Sequence, residues 1–413
     1  MRIVHISHTD TGGGAAIACI RHAEAMKDAG LDVNVLTAKK MGQNPIVTKP
    51  HWGWYSIVNQ IQYSLHEWII SKIKPIGTFS IMQYGVPFHK TKEVKEADVI
   101  FLHWVNKNTL SIKGVEQLLK LNKPTFWYLH DMFPITGGCH YSLDCLEYQK
   151  DCKKCPLIEN PKADGLAHKQ LKWKIKHWSK YPNLYFIAPS IWLKDCIEHS
   201  SLAKNCISIV IPNLINTKVF KPYDFDVKKI FGLNPNKKTI LFSSHLHGNI
   251  YKGSNYTINC LKLLDPSKYE GLIIGNMPKG LEESVPLKVI ATGYLSDSIS
   301  LVMAYNACDT LIISSIAENY PNVVLEAMAC GKPCIGFKIG GIPDLISHKK
   351  TGYLTNEKTA EKLLDGIFWM FEDSHRYSII SQEARKQIVE NNSYYNGKAI
   401  HSLLELCQNI KHS

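Results

Sequence analysis

Long apolar runs are missing from this 413-residue chain. Its apolar runs are the size of strands, and none reaches the roughly 18 uninterrupted apolar residues that a membrane span needs. The opening residues, Met-Arg-Ile-Val-His-Ile-Ser, also lack the apolar core and small-residue cleavage site of a secretory signal. No short-period repeat or low-complexity tract is visible, which excludes solenoids and propellers. We therefore expect a cytoplasmic protein without a transmembrane helix.

Acidic residues are outnumbered by basic ones. The chain has 48 Lys and Arg against 36 Asp and Glu, and residues 1–212 carry +9 of the net charge of +12. This excess suits phosphorylated small molecules, an anionic membrane surface or nucleic acid, and net charge alone does not choose among them. Because 45% of the residues are apolar and only 20% are charged, we expect a chain folded throughout, in two or three domains.

Short β-branched runs alternate with amphipathic stretches, which predicts an α/β fold of two doubly wound, Rossmann-like domains. Ten strands are predicted, at residues 2–7, 33–37, 99–103, 125–130, 184–188, 239–243, 271–274, 289–292, 310–314 and 333–337. The segment 211–222 holds two prolines and two asparagines and predicts an interdomain connection. The expected domains are 1–212 and 213–393, followed by a helical segment, 394–413, that could return to the N-terminal domain.

Three glycines, Gly12, Gly13 and Gly14, follow the first predicted strand and open a predicted helix. Such a turn lets main-chain amides approach a phosphate, and the helix N-terminus adds partial positive charge. It is a poor dinucleotide fingerprint, because Ile17 stands at the third glycine position and the second strand ends in Thr37 rather than in an acidic residue. We expect a phosphate site rather than an NAD site; a tight turn without a ligand is the alternative.

A more specific pattern lies in residues 315–337, where Glu318 follows a predicted strand and Glu326 lies eight residues later on a predicted helix. Open parallel sheets bind ligands at the carboxyl ends of their strands. Carboxylates there would accept hydrogen bonds from sugar hydroxyls, and the amides of residues 319–323 at the helix start would receive a phosphate.

The stretch Glu318-Asn-Tyr-Pro-Asn-Val-Val-Leu-Glu-Ala-Met-Ala-Cys-Gly-Lys-Pro resembles the hallmark of the large glycosyltransferase family 4, retaining enzymes of the GT-B fold. The similarity extends over essentially the whole chain. Within the family, residues 130–141, HDMFPITGGCHY, are similar to enzymes that build bacterial surface polysaccharides such as colanic acid, O antigen or lipopolysaccharide. The resemblance implies two Rossmann-like domains facing each other across a cleft and a nucleoside diphosphate sugar as donor.

The resemblance also implies roles for particular residues. His130 and Glu318 would be catalytic, with His130 contacting the transferred sugar next to the reacting carbon and His103 as the lesser candidate. Lys252 would face the donor diphosphate, although the arginine that the family usually has five residues earlier is His247 here. The residues predicted to bind the donor are Gly12, Gly13, Gly14, Lys252, Asn319, Tyr320, Asn322 and Glu326, the last of which would bind the ribose.

Four of the twelve cysteines cluster in the loop 139–155, and the other eight are scattered and expected in cores. The four are Cys139, Cys145, Cys152 and Cys155. Their thiolates could supply a tetrahedral structural zinc site, and the expected cytosolic location argues against disulfides. Free or redox-active thiols are the alternative. The Asp-x-Asp sequence Asp224–Asp226 falls just after Pro222 of the linker rather than at a strand end, which is typical of a solvated loop, so no metal or other cofactor is expected in catalysis.

Two stretches are candidates for contact with an anionic membrane. Residues 168–180 form a basic predicted helix with two tryptophans, and residues 52–73 carry Trp54, Ile61, Leu65 and Trp68 near helical spacing. A solvated basic face and ordinary core residues are the alternatives. Peripheral attachment to the inner face of the cytoplasmic membrane would suit an acceptor that is a lipid-linked oligosaccharide.

The interpretation that these features favour is a retaining hexosyltransferase of surface polysaccharide biosynthesis. A sugar-nucleotide epimerase or a small-molecule glycosyltransferase on the same fold is the enzymatic alternative. A nucleic-acid-binding protein with a zinc knuckle is the alternative from another class, but it leaves the two glutamates unexplained.

Overall fold

The computed structural model describes residues 1–50, 55–160, 165–243, 249–295 and 297–412. The chain divides into two compact units. The first comprises Met1–Asn213 together with His401–Ser413, and the second comprises Leu214–Ile400.

The first unit is built on a seven-stranded parallel sheet of order β3-β2-β1-β4-β5-β6-β7. Its strands are β1 Arg2–Thr9, β2 Asp32–Lys39, β3 Val47–Thr48, β4 Val99–Leu102, β5 Thr125–Tyr128, β6 Leu184–Ala188 and β7 Ser208–Val210. Its helices are α1 Gly14–Asp28, α2 Tyr55–Ile73, α3 Lys92–Glu96, α4 Ile112–Leu119, α5 Leu166–Trp178 and α6 Ile191–His199.

The second unit has a six-stranded parallel sheet of order β10-β9-β8-β11-β12-β13. Its strands are β8 Lys238–Ser243, β9 Tyr269–Ile274, β10 Val289–Ala291, β11 Thr310–Ile313, β12 Cys334–Phe337 and β13 Gly352–Thr355. The helices that follow β8 in the chain are α7 Ser254–Lys262, α8 Leu281–Ser284, α9 Ser298–Ala307, α10 Asn322–Ala329, α11 Ile342–Leu345, α12 Ala360–Phe371, α13 Ser374–Asn392 and α14 Lys398–His412.

The strand order reverses once in each sheet, between β1 and β4 in the first unit and between β8 and β11 in the second. Ligands of doubly wound sheets bind outside the carboxyl ends of the strands at such a reversal. The residues that follow these four strands, and their neighbour β5, are therefore the ones to examine for a site.

Apolar runs and helix caps account for the local structure. Every residue of β4, β5 and β12 is buried, as expected for parallel strands covered on both faces. Several helices begin at a polar residue whose side chain accepts a hydrogen bond from a main-chain amide of the first turn. Ser111 starts α4 in this way, Ser190 starts α6 and Asp297 starts α9.

All ten predicted strands are present, with bounds that differ by at most two residues, but the sheets have seven and six strands rather than about five each. The additional strands are β3, β7 and β13, which have two, three and four residues. Each lies at an edge of its sheet and pairs with a single neighbour. Unlike β4, β5 and β12, none of them is a fully buried apolar run, so their signal in the sequence is weaker.

Within the described ranges, none of the helices combines the length and the apolar composition that crossing a membrane requires.

Candidate active site

An ion pair lies beside the reversal of the second sheet. The Nζ atom of Lys252 is 2.6 Å from Oε2 of Glu318, in the loop after β11, and the Ser315 hydroxyl donates to the same oxygen at 3.3 Å. The Glu318 side chain is 9% exposed and that of Lys252 is 34% exposed. The carboxylate is thus enclosed, whereas the ammonium group remains accessible from solvent.

Gly253 explains why Lys252 reaches this loop. Its φ of +58° is in the left-handed region, and a Cβ atom there would lie 2.0 Å from the main-chain oxygen of Ser314. The Ser314 hydroxyl donates to the main-chain oxygen of Lys252 at 3.1 Å. The Ile316 amide donates to the main-chain oxygen of Tyr251 at 2.8 Å. Only glycine permits this close approach of the two main chains.

A second glycine fixes the main chain of Glu318 itself. Gly340 has a φ of +50°, and a Cβ atom there would lie 1.9 Å from the main-chain oxygen of Glu318. The amide of Gly341 donates to that oxygen at 3.2 Å. The pair Gly340-Gly341 therefore holds the loop after β11 in place. This structural role explains the two glycines without any contact to a ligand.

Glu326 has a partner of its own. It lies on α10, is 4% exposed, and its Oε2 atom accepts a hydrogen bond of 2.7 Å from the Tyr305 hydroxyl of α9. The two glutamates predicted to act together thus have different polar partners, an ammonium group for Glu318 and a phenol for Glu326.

The start of α10 lies close to its predicted place. Pro321 is the residue before the helix, which begins at Asn322, and Gly331 with φ +71° follows its end. The Tyr320 side chain is buried in the core of the unit, and its hydroxyl accepts a hydrogen bond of 2.9 Å from Asn392. Tyr320 is therefore available to a donor through its main chain rather than its ring, and Asn319 is likewise 2% exposed.

In the first unit, the glycine turn after β1 is open to solvent. Gly12, Gly13 and Gly14 are all exposed, Gly12 has a φ of +83°, and α1 begins at Gly14. The 15-residue helix has no acidic residue in its first turn. The turn thus leaves a helix N-terminus uncovered by any side chain of the turn, as anion binding requires.

Three histidines of this unit form a hydrogen-bonded chain. His130, which follows β5 and is half-buried, has Nε2 2.9 Å from Nδ1 of His103, which follows β4. Nε2 of His103 is in turn 2.9 Å from Nδ1 of His5 within β1. Burial lowers the pKa of His5 to about 3 and that of His130 to about 4, and it lowers the pKa of His103 well below its usual value. All three rings are therefore neutral at pH 7.

Because each neutral imidazole has one N–H, the two hydrogen bonds that join the three histidines must both run in the same direction. Among the described residues, Nε2 of His5 is buried without a hydrogen-bond partner. If His5 donates to His103 and His103 to His130, the unpartnered atom is a lone pair; the reverse order would bury an unpartnered N–H, which proteins tolerate less well. The favoured order leaves the proton of His130 on Nδ1, the ring atom that does not face His103.

Asp131 holds the segment that follows His130. Its Oδ2 atom accepts from Nδ1 of His140 at 2.6 Å and from the Trp104 indole at 3.1 Å, and its Oδ1 atom accepts from the Phe133 amide at 2.9 Å. Burial alone would raise the pKa of Asp131, but His140 and these hydrogen bonds outweigh it and lower the pKa. The carboxylate thus stays ionised and fixes the main chain next to His130.

Several partners in these sites were not predicted from the sequence. His5 lies within an apolar strand, where a histidine is ordinarily a core residue, and Tyr305 lies on a helix without any motif. Of these unpredicted partners, only Ser315 is close in sequence to the residue that it contacts, since it precedes Glu318 by three residues. His247 and Trp54 lie outside the described residues, and Asp224 and Asp226 are exposed, as predicted for a solvated loop.

Comparison with known proteins agrees with this geometry. Residues 224–387 match the family model described as glycosyl transferases group 1. N-acetyl-alpha-D-glucosaminyl L-malate synthase of Bacillus anthracis is 25% identical over 43% of this chain and 48% of its own length. The putative colanic acid biosynthesis glycosyl transferase WcaC of Escherichia coli K12 is 24% identical over 57% of this chain and 59% of its own. The chain thus spans about half the length of these curated relatives.

Among solved structures, Anabaena HepE in complex with UDP-glucose covers 99% of this chain and 100% of its own, with a TM-score of 0.66 and 17% identity. The likeness to this structure shows that the chain has the GT-B fold. Residues 224–387, which include Lys252, Glu318 and Glu326, are the part that matches the group 1 glycosyltransferase model. The predicted fold is confirmed.

Proposed function

We propose that this protein is a retaining glycosyltransferase that transfers a sugar from a nucleoside diphosphate sugar to a growing surface polysaccharide. The observation that carries the proposal is the Lys252–Glu318 pair, held by Gly253 and Gly340 beside the reversal of the second sheet. It presents an ammonium group for a diphosphate next to a carboxylate for sugar hydroxyls.

The second unit would bind the donor. Lys252 would contact the diphosphate, and the main chain at residues 319–322, where α10 begins, would add hydrogen-bond donors and the helix dipole. Glu326, oriented by Tyr305 at 2.7 Å, would bind the ribose hydroxyls. Preorganised groups of this kind stabilise the charge that builds up on a departing diphosphate.

The first unit would supply His130 and the glycine turn, Gly12–Gly14. With its proton on Nδ1, a neutral His130 would donate a hydrogen bond to a hydroxyl of the transferred sugar. The chain through His103 to His5 would hold the ring orientation and the tautomer.

Retention of the anomeric configuration would not require a covalent enzyme intermediate. Glu318 is already held by Lys252 and would serve as a catalytic residue by binding the sugar, not as a nucleophile. The acceptor hydroxyl would attack from the face that the diphosphate leaves. The new bond to the anomeric carbon would form as the bond from that carbon to the phosphate oxygen breaks, and the hydroxyl proton would pass to the departing phosphate.

The acceptor is proposed to be a lipid-linked oligosaccharide, which the similarity to a putative colanic acid biosynthesis enzyme supports. A small-molecule acceptor is the second candidate, since a relative of similar identity is named N-acetyl-alpha-D-glucosaminyl L-malate synthase. The two candidates differ in whether the protein has any reason to contact a membrane.

Two surfaces of the first unit support membrane contact. On α2 the large apolar side chains of Ile61 (66% exposed), Leu65 (39%) and Trp68 (58%) all reach solvent at helical spacing. The basic helix contributes less than predicted, because Lys174 and Trp178 are fully buried in the core.

Four lysines at or just after α5 remain exposed: Lys169, Lys172, Lys176 and Lys180. Each would contribute at most about 1 kcal/mol of attraction to anionic lipid, which salt would screen, and Lys180 would contribute less because it pairs with Glu116 at 3.1 Å. We expect sedimentation with anionic liposomes at low salt, and weaker sedimentation when Lys172, Lys176 and Lys180 become glutamine. Equal binding of the variant, or none by the wild type, would remove α5 from this proposal.

The donor is tested by a thermal-shift screen of nucleoside diphosphate sugars followed by a transfer assay. A donor at a hundred times its Kd stabilises the protein by about 2.7 kcal/mol. We expect one class of nucleoside diphosphate sugar to raise Tm, and Lys252→Met to weaken that shift more than Lys238→Met, a lysine at the start of β8. A chain that no nucleoside diphosphate sugar stabilises, but that binds oligonucleotides in a salt-dependent manner, would contradict the proposal.

A further inference from the structure

The loop 139–155 of the first unit has no part in the function proposed above. Its four cysteines line a single cavity together with Gly137, Gly138 and Phe79. None of the four is joined in a disulfide; Cys139 and Cys152 are buried, and Cys145 and Cys155 are half-buried. Four thiols around one cavity are a full set of ligands for a tetrahedral metal ion.

The main chain on which the cavity rests is fixed by close packing. A Cβ atom on Gly137 would lie 2.5 Å from the main-chain oxygen of Ala167, and one on Gly138 would lie 2.3 Å from the Phe79 ring. The Gly137 amide also donates a hydrogen bond to the sulfur of Cys152. The two glycines thus bring the main chain before Cys139 against Phe79 and α5.

An independent observation is the buried ammonium group of Lys174 on α5. The side chain is 0% exposed, and its Nζ atom donates to the main-chain oxygens of Phe133 at 2.6 Å and Thr136 at 3.0 Å. The Phe133 ring is 3.7 Å away. Among the described residues, no carboxylate lies within ion-pair distance of this ammonium group.

Burial lowers the pKa of Lys174 to about 7, so a negative charge nearby is needed to keep the side chain protonated. Cys139, Cys152 and Asp131 are close enough to raise that pKa again. Asp131 is ionised and paired with His140. Four thiolates around a divalent ion would add a net charge of −2 beside Lys174.

We propose that Cys139, Cys145, Cys152 and Cys155 bind one structural zinc ion, with Lys174 as its buried counter-charge. Such a site is closed, because four protein ligands leave no position for water. The bound ion would fix the loop that follows the His130-Asp131 segment against α5. It takes no part in the transfer step.

The cysteine cavity is not the most tightly gathered set of ligand atoms in the described part of the chain. That set is His5, Cys19 and His103, within 4.8 Å of one another. The hydrogen bond of 2.9 Å between the two histidines accounts for their approach without a metal. The four sulfurs are more open, so a bound ion would draw the loop inward.

The test is metal analysis of the full-length protein, purified without chelator or added metal. We expect about one zinc per chain in the wild type, and a loss of most of it in Cys152→Ser and Cys155→Ser. Cys206→Ser, which changes a half-buried cysteine outside the cluster, should keep the ion. Lys174→Met should release zinc to a chelator at least roughly tenfold faster than the wild type.

A second measurement on the wild type covers the case in which the serine variants do not fold. Chelation should expose four reactive thiols for each zinc released, and Co²⁺ loaded in its place should give the visible absorption of a tetrahedral thiolate site. Wild-type protein that is purified with the four thiols free, joined in disulfides or binding an iron–sulfur cluster would overturn the proposal. Zinc retained by both serine variants would overturn it as well.

Discussion

The two units have the same sheet order around the same reversal, yet the side chains beside that reversal differ in kind. In the first unit they are His5, His103 and His130, which burial keeps neutral. In the second they are Lys252 and Glu318, joined by an ion pair of 2.6 Å. The comparison teaches that the doubly wound sheet supplies the place for a site, whereas the residues after the central strands decide its chemistry.

The difference also concerns how each unit tolerates its polar groups. In the first unit, the ring nitrogens of the three histidines form hydrogen bonds with one another in the core. Among the described residues, one nitrogen of His5 is left without a partner. The second unit keeps its charges at a glycine-built turn, where Lys252 still reaches solvent. We therefore expect the two units to respond differently to charge removal and to acid.

Removing charge from the second unit should have the largest effect. Glu318→Gln leaves Lys252 without its carboxylate partner, and removing one preorganised polar group from an active site costs about 2.7–4 kcal/mol of transition-state stabilisation. We expect kcat/KM for transfer to fall by roughly two to three factors of ten. Glu326→Gln, whose amide oxygen still accepts from Tyr305, should lose at least roughly tenfold. Steady-state kinetics with the identified donor would measure both.

Glu270→Gln is the matched control for these variants. Glu270 is a buried carboxylate near the start of β9 that accepts from the Asn234 amide at 2.9 Å and the Thr239 hydroxyl at 3.2 Å. It should lower Tm with little change in kcat/KM. The assignment of the glutamates fails if Glu318→Gln and Glu326→Gln turn over donor at the wild-type rate.

Acid should act mainly on the first unit. Because burial lowers the pKa of a histidine, the unfolded chain binds a proton at that histidine at a higher pH than the folded chain does. Stability is thus complete above the unfolded pKa of about 6.5 and is lost as the pH falls toward the folded values of about 3 for His5 and about 4 for His130. Each such histidine contributes up to about 1.4 kcal/mol per pH unit in that window.

Hydrogen exchange at about pH 7 and about pH 5.5 would measure this loss in each unit. Peptides of β1, β4 and β5 should lose protection on acidification well before peptides of β8 and β11. Equal loss in both units, or a first unit as protected at the lower pH as at the higher, would show that the histidine chain does not govern acid stability.

The sequence was informative where a pattern is local. The apolar runs placed ten of the thirteen strands, and the spacing of Glu318 and Glu326 placed α10 and the loop before it. Strands β3, β7 and β13 were missed because none of them is a fully buried apolar run like β4 or β5.

Partners that the fold brings together from distant parts of the chain were harder to predict. The chain from His5 to His103 joins residues 98 positions apart, and Tyr305 meets Glu326 across two helices. In the sequence, Lys174 does not differ from the other lysines of the predicted basic helix. It differs from them in the structure, where it is buried against Phe133. Nothing in the local sequence records such contacts, since they depend on tertiary packing.

The division of work between the units is tested most directly on His130. His130→Ala, with His130→Gln to retain a hydrogen bond to His103 and His199→Ala as an exposed control, would be compared in two assays. These are titration with the nucleoside diphosphate alone and transfer from the complete donor. We expect transfer by His130→Ala to fall by about a hundredfold or more, while nucleoside diphosphate binding stays within a few-fold of wild type. Equal loss in both assays, or undiminished transfer, would contradict the account.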